Sequence, residues 1–273
     1  YRDDTGGKRS HKYEAIEGWN RPTPPVSPFD LSPPTQRLLE GAVKAKRNRN
    51  APGINGIPFL VYKKCPRLLK YLLEILVRVW ESKTIPKSWQ CALVVLLAKS
   101  DKLDDPSEFR PIALLNSEGR LFFTLIQWRL SDFMIKNRYI DQKIQKGFMR
   151  DVAGCIEHSE TKMQVLRDAK NSRRGIAVCW IDLANAYGSV RHSMVQWSLE
   201  WYHVPAHICQ LIYNYYEGLC ASVMVKSEQT RWFRFGIGVF QGCTASTILF
   251  NIAFNTSFDH IRPLKEECGY RCK

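Results

Sequence analysis

The sequence has no run of 18 or more apolar residues. Its most apolar stretch, Cys91 to Ala98, is far too short to cross a bilayer, which excludes a helical membrane span. It also lacks a basic start followed by an apolar stretch and a small-residue cleavage site. It opens on Tyr1, which reads as an internal cut in a longer product. No internal repeat is visible, and no CxxC pair occurs. The nine cysteines are scattered singly, with only Cys268 and Cys272 close together and without partners at zinc-site spacing. That pattern fits reduced thiols in an intracellular protein of nucleus or cytoplasm, not a secreted disulfide scaffold. Acidic residues are in short supply: 26 Asp and Glu face 40 Lys and Arg, a formal net charge of +14. Such an excess suits a polyanionic partner, although a merely basic, solvated surface is an equal reading of charge alone.

What remains is a chain able to bury a large core, at 45% hydrophobic over 273 residues. Residues 1–34 end in a proline-dense stretch, Arg21 to Pro34, and read as an extended arm or linker, or as a coil crossing the main body. Helical spacing begins at Thr35, with Leu38, Leu39, Ala42 and Val43 on one face and Lys44, Lys46, Arg47 and Arg49 toward the C-terminal end, where cations complement the dipole. Ala51-Pro-Gly-Ile-Asn-Gly-Ile-Pro58 breaks the pattern as a turn. Further helices are expected over 67–81, around 121–133, over 156–174, 192–202, 206–218 and 244–261. Cys91 to Leu97 and Ile176 to Leu183 read as buried strands. Residues 221–225 and 231–235, flanking Ser-Glu-Gln-Thr, read as a hairpin. Strand, helices, hairpin and helix in that order indicate an α+β fold, an antiparallel sheet with helices packed on one face.

Asp182 stands out because a carboxylate closing an apolar strand is costly unless it is exposed, paired or bound to metal. A helix N-cap is the plainer reading. Tyr187, five residues on, taken alone reads as a core aromatic. Together, Asp182-Leu-Ala-Asn-Ala-Tyr187-Gly-Ser-Val190 resembles motif A of reverse transcriptases, with Gly188 where many of these enzymes carry Asp. Gly238-Val-Phe-Gln241-Gly242-Cys-Thr-Ala-Ser246-Thr247-Ile-Leu-Phe250-Asn251 resembles their motif B, with Thr247 in place of Pro and Ala245 in place of Leu. Phe109-Arg110-Pro-Ile-Ala-Leu-Leu-Asn116 is similar to a segment of their fingers, and Lys99 falls where they keep a basic residue. Residues 51–58 resemble a Pro-Gly-x-Asp-Gly-Ile segment, with Asn55 in the Asp place. The wording is nearest to non-long-terminal-repeat (LINE-like) retrotransposon enzymes, with group II intron maturases as the second possibility.

The resemblance implies right-hand polymerase fingers over 35–174, with interleaved palm helices, and a partial palm over 175–273. It implies an RNA-directed DNA polymerase using an RNA template, a DNA primer or target DNA, and deoxynucleoside triphosphates, with no membrane partner. Two magnesium ions would sit on Asp182 and Leu183, Tyr187 would lie under the incoming sugar, Gln241 and Gly242 would meet the nascent pair, and Lys99 and Arg110 the triphosphate. Motif C, an aromatic-x-Asp-Asp hairpin, should follow motif B, yet Asp259 is the last Asp. The chain as written is therefore expected to be inactive alone. Tyr1-Arg-Asp3-Asp4 spells a similar word but precedes the fingers and reads as coincidence. His203 and His207, split by Pro205, are not read as a metal pair. The alternative function is a decayed or domesticated RNA-binding protein that has lost polymerisation.

Overall fold

The proline-rich opening gives way to helix at Thr35, whose hydroxyl accepts from the Leu38 amide and caps α1 (Gln36–Lys44). The computed structural model describes residues 19–99, 101, 105–149, 152 and 154–271. The Tyr1-Arg-Asp3-Asp4 word and Cys272 lie outside them. After α1 come α2 (Phe59–Lys64) and α3 (Pro66–Ser82). Pro66 begins α3, where its missing amide is harmless and its fixed φ suits a helix start. Helix α4 (Lys87–Gln90) leads into β1 (Cys91–Ala98), which β2 (Phe109–Leu114) follows. Then come α5 (Ser117–Lys136), α6 (Ile156–Asn171), α7 (Ala186–Ser189), α8 (His192–Trp201) and α9 (Ala206–Glu217). Strands β3 (Cys220–Val225), β4 (Glu228–Gln229) and β5 (Phe233–Arg234), then α10 (Thr244–Ile261) and α11 (Lys265–Cys268), complete the order.

Helix α5 is the central rod. Its residues from Leu121 to Ile126 are buried without interruption, so it is covered on all sides rather than along one stripe. Helix α10 packs against both α5 and α8, and α8 packs against α9. One hydrophobic cluster runs from Phe29 through α3, α5, α8 and α9 to Ile252. The described part of the proline-rich segment is a coil strapped to this body. Phe29 is buried against Phe133, the Trp80 indole donates to the Leu31 carbonyl, and the Tyr139 hydroxyl donates to the Thr23 carbonyl.

The sheet differs from expectation in being mixed. Strand β1 pairs antiparallel with β2 but parallel with β3, in the register Cys91↔Cys220 to Val95↔Met224. Because β3 reaches no further than Val95, β1 is not a wholly buried strand either. Ala92 and Val94 point into the core, whereas Leu96 to Ala98 are exposed in a two-stranded projection with β2. The hairpin turn sits at Lys226 and Ser227, with Lys226 left-handed at φ 55°. Glu228 and Gln229 already pair with β3, so the return strand is split into β4 and β5 around Thr230.

The largest correction concerns residues 176–183, which form no strand. Trp180 and Ile181 are 74% and 76% exposed, and Ile176, Val178 and Leu183 also face solvent. An apolar run becomes a strand only where an edge is available to satisfy its amides and carbonyls. Among the described residues none pairs with it.

The turn at 51–58 docks onto the start of α5. Gly56 closes it in the left-handed region at φ 69°, and its amide donates to the Gly53 carbonyl. A Cβ on Gly53 would lie 2.3 Å from the Asn116 amide nitrogen, so only glycine fits there. The buried Asn116 side chain accepts from the Asn55 amide (3.2 Å) and donates to the Ser88 carbonyl (3.0 Å). Asn116→Ala strands both partners and is expected to cost about 1–3 kcal/mol. The urea midpoint of the variant should fall accordingly, with an unchanged m-value.

Candidate functional site

Residues 236–242 carry almost no regular structure of their own, yet they join two separated segments to the start of α10. The Gly238 amide donates to the Val190 carbonyl (2.8 Å), and the Val239 amide donates to the Tyr187 carbonyl (2.8 Å). At the other end, the Ala113 amide of β2 donates to the Gln241 carbonyl (2.7 Å). Two glycines permit this proximity. Gly238 has φ 91°, and a Cβ there would come within 2.9 Å of the Tyr187 carbonyl oxygen. Gly242 has φ 136°, and its Cβ would lie 2.2 Å from the Ala113 oxygen. Segments 109–116, 184–190 and 238–251 therefore meet along one short piece of backbone.

Tyr187 sits at this junction on α7. Its ring packs against Phe250 of α10 at 5.1 Å and lies 6.4 Å from Phe148. The hydroxyl is buried without a hydrogen-bond partner among the described residues, and burial pushes its pKa up to about 12. Asn185, left-handed at φ 49°, turns the chain into α7. The Asn185 side chain folds over Gly188, where a Cβ would lie 2.3 Å from its Nδ2, so a larger residue there would displace that side chain. His192 shares a hydrogen bond with the Gly238 carbonyl (2.8 Å) and stacks on Tyr216, so the far side of the junction is also braced.

The remaining residues singled out from sequence lie on two flanking features. Leu97 faces Arg110 across the β1–β2 projection, and the Lys99 amide donates to the Glu108 carbonyl. The Lys99 ammonium donates to the Ser107 carbonyl (2.6 Å), and both cations are exposed. Asp182 and Leu183 lie in the exposed segment leading to Asn185. Among the described residues, no group of three or more His, Cys, Asp or Glu side chains could hold a metal ion. No described helix is long and apolar enough to cross a membrane.

The reverse transcriptase (RNA-dependent DNA polymerase) family matches residues 97–270, more than half of the chain. The chain belongs to that family. It is 25% identical over 230 residues to the probable RNA-directed DNA polymerase from transposon BS of Drosophila melanogaster, covering 84% of this chain and 24% of the relative. It is 22% identical over 222 residues to the retrovirus-related Pol polyprotein from type-1 retrotransposable element R2 of Nasonia vitripennis, covering 81% and 20%. It is 26% identical over 220 residues to the corresponding polyprotein from type-2 retrotransposable element R2DM of Drosophila melanogaster, again 81% and 20%. These relatives bear out the resemblance to non-long-terminal-repeat retrotransposon enzymes. The chain spans about a quarter or less of their length.

One departure of this reverse transcriptase sequence from the family wording has a local explanation. Thr247, at the motif B proline position, donates to the Thr244 carbonyl (3.1 Å) and accepts from the Gln127 amide (3.3 Å), bonds that proline could not make. Asn251 holds the 145–147 loop: its amide donates to the Gly147 carbonyl, and its oxygen accepts from Gln145. That loop leads to Phe148, a neighbour of Tyr187 that sequence reasoning missed because no apolar period runs through it.

A cationic cluster was missed as well. Lys46 donates to the Thr124 hydroxyl (2.8 Å), which in turn lies 3.2 Å from the Thr244 hydroxyl at the start of α10. Arg120 covers the Phe59 ring at 4.8 Å and donates to the Ala51 carbonyl, while Lys63 donates to Asn48. Among the described residues, no carboxylate forms an ion pair with Lys46, Lys63 or Arg120. The sequence showed the cations at 44–49, but their role looked like helix-dipole complementation. Burial, then the charge of Arg120, pulls the Lys46 ammonium down to about 8.

The unfolded chain keeps the Lys46 proton to about pH 10.5, so it binds more protons than the folded state between about 8 and 10.5. Stability from this group is therefore full above pH 10.5 and lost as pH falls through about 8. Lys46→Met is expected to raise the thermal midpoint at pH 7, with a gain that shrinks toward pH 10.5. Parallel melts of the two proteins across that range check both sign and window.

Proposed function

We propose that this chain forms the fingers (35–174, with interleaved palm helices) and part of the palm (175–273) of a right-hand RNA-directed DNA polymerase of a non-long-terminal-repeat retrotransposon. The observation that supports it most is the junction at 238–242, where the motif A turn, the motif B segment and the fingers strand β2 share backbone hydrogen bonds. An RNA template, a DNA primer or target DNA, and deoxynucleoside triphosphates are its substrates. Tyr187 presents its ring beneath the incoming sugar, Gln241 and Gly242 offer backbone to the nascent pair, and Lys99 and Arg110 attract the triphosphate from the β1–β2 projection. A lysine point charge and an arginine fork suit phosphate in different ways.

Asp182, with the backbone oxygen of Leu183, supplies acceptors of the kind magnesium takes. One carboxylate and one carbonyl do not make a two-metal site, so the described residues alone do not fit the ion pair. The exposed apolar run 176–183 offers the missing context. We place against it the acidic hairpin of motif C, which would convert the run into a covered strand and bring further carboxylates to Asp182.

Sugar choice tests the assignment. In the polymerase that carries this chain, Tyr187→Ala should raise kcat/KM for ribonucleotides relative to deoxynucleotides, even where the overall rate falls through lost packing. Asp182→Ala should abolish use of both, because the lost charge acts on the transition state whatever the sugar. An unchanged ratio in Tyr187→Ala returns Tyr187 to a purely structural role.

Binding provides a second, independent test. The excess of positive charge and the unpaired Lys46, Lys63 and Arg120 cluster predict affinity for RNA and RNA–DNA hybrid that survives Asp182→Ala. Each neutralised phosphate should contribute roughly −0.7 to −0.9 to the slope of log K against log salt. Fluorescence anisotropy at several salt concentrations measures that slope, and a salt-insensitive interaction excludes a phosphate-binding surface.

A further inference from the structure

Cys91 and Cys220 occupy the same register on neighbouring parallel strands, the first residues of β1 and β3. Residues so paired on adjacent strands project to the same face, and strand spacing of about 4.8 Å lies inside the Cα separation that disulfides tolerate. The two sulfurs are 2.8 Å apart. That is closer than separate thiols ordinarily approach and needs less than an ångström of closure to reach a bond of about 2.0 Å. Both thiols are free and half-buried. They open on a surface cleft of about 510 Å³, lined also by Lys87, Glu217, Trp232 and Arg234, so a small reagent has access.

We infer that Cys91 and Cys220 form a redox-responsive thiol pair, which a low-molecular-weight disulfide converts into a cross-strand disulfide. One cysteine, as thiolate, attacks the reagent disulfide and expels one reagent thiol, leaving a mixed disulfide. The other cysteine then attacks the protein sulfur and expels the second. Two S–H bonds are lost and one S–S bond forms. The two electrons and two protons leave in the two reagent thiols.

Burial, and hydrogen bonding with Cys91, push the Cys220 thiol up to about 11, so Cys220 is held as a thiol at neutral pH. The bridge joins positions 129 residues apart at the root of β1. It ties the strand whose far end carries Lys99 to the strand that leads into the hairpin. Neither thiol takes part in the polymerase reading above, so the inference stands or falls separately from it.

The experiment treats the protein with oxidised glutathione, blocks remaining thiols with iodoacetamide in denaturant, and maps peptides without reduction. The expected result is a linked peptide pair containing Cys91 and Cys220, lighter than its separate parts by two hydrogens and released by dithiothreitol. The oxidised protein should also melt at a higher temperature than the reduced form. In Cys220→Ser, Cys91 should stop at the glutathione mixed disulfide, and in Cys91→Ser, Cys220 should do the same. Glutathione retained on both cysteines of the unsubstituted protein would falsify the pairing. Bridges to other cysteines in equal yield would overturn it too. Because the mapping uses the unsubstituted chain, it decides the matter even if a serine variant misfolds.

Discussion

The backbone between residues 238 and 242 passes so close to its neighbours that two of its α-carbons have room only for hydrogen. Everything at the candidate site hangs on that proximity. The amides of Gly238 and Val239 reach the carbonyls of Val190 and Tyr187, and the Gln241 carbonyl receives the Ala113 amide. A methyl group at Gly242 would force apart β2 and the start of α10, because its contact is with a backbone oxygen rather than a movable side chain. The position of Tyr187, the direction of α10 and the seat of the fingers strand are thus set together by one strip of chain. Such interlocking makes the junction intolerant of small changes, since packed interiors accommodate added volume poorly.

The long helices were legible because each carries its own evidence, whereas the short α2, α4, α7 and α11 show too few turns to set a period. Helix α3 shows Leu69, Leu72, Leu76 and Val79 at helical spacing, and α1 shows a Thr cap. Motif wording likewise placed Tyr187, Gln241 and Arg110 on the segments that the structure joins. What failed was information that does not reside locally. Residues 176–183 look like a covered strand, but a strand exists only with a partner edge, and none of the described residues supplies one. The parallel pairing of β1 with β3 joins residues 129 apart and leaves no mark on either stretch. The hairpin turn was misplaced because Glu228 and Gln229 look like loop residues. They are exposed strand residues, whose polarity reflects the solvent side of a short edge.

Electrostatics shows the same division between composition and placement. A net charge of +14 is visible in the sequence, but its distribution is not. Lys46 comes from the end of α1, Lys63 from α2 and Arg120 from α5, and they gather around the residue 46–51 connection beside the start of α10. Burial, and secondarily the neighbouring Arg120 charge, make a cation unfavourable here without a carboxylate beside it, and both lower the Lys46 ammonium. A polyanion laid along this face would relieve that strain, so the proposed phosphate-binding surface would carry a cost in the stability of the unliganded fold.

The strap formed by residues 19–34 bears on where the folded unit begins. Arg129, buried in the middle of α5, pairs with Asp30, donates to the Ser32 carbonyl and lies over the Trp80 ring at 4.6 Å. Asn137 exchanges two hydrogen bonds with Ser27, and His203 shares one with the Pro22 carbonyl. The first helix is therefore not the first structural residue. A protein trimmed to begin at Thr35 would leave a guanidinium in an apolar setting with its acceptors gone, and it would open the flank of the helix on which both halves of the chain are packed. The unstructured-looking prolines act as a sealed lid on that flank, and a protease that nicks them would loosen the body as well as shorten the chain.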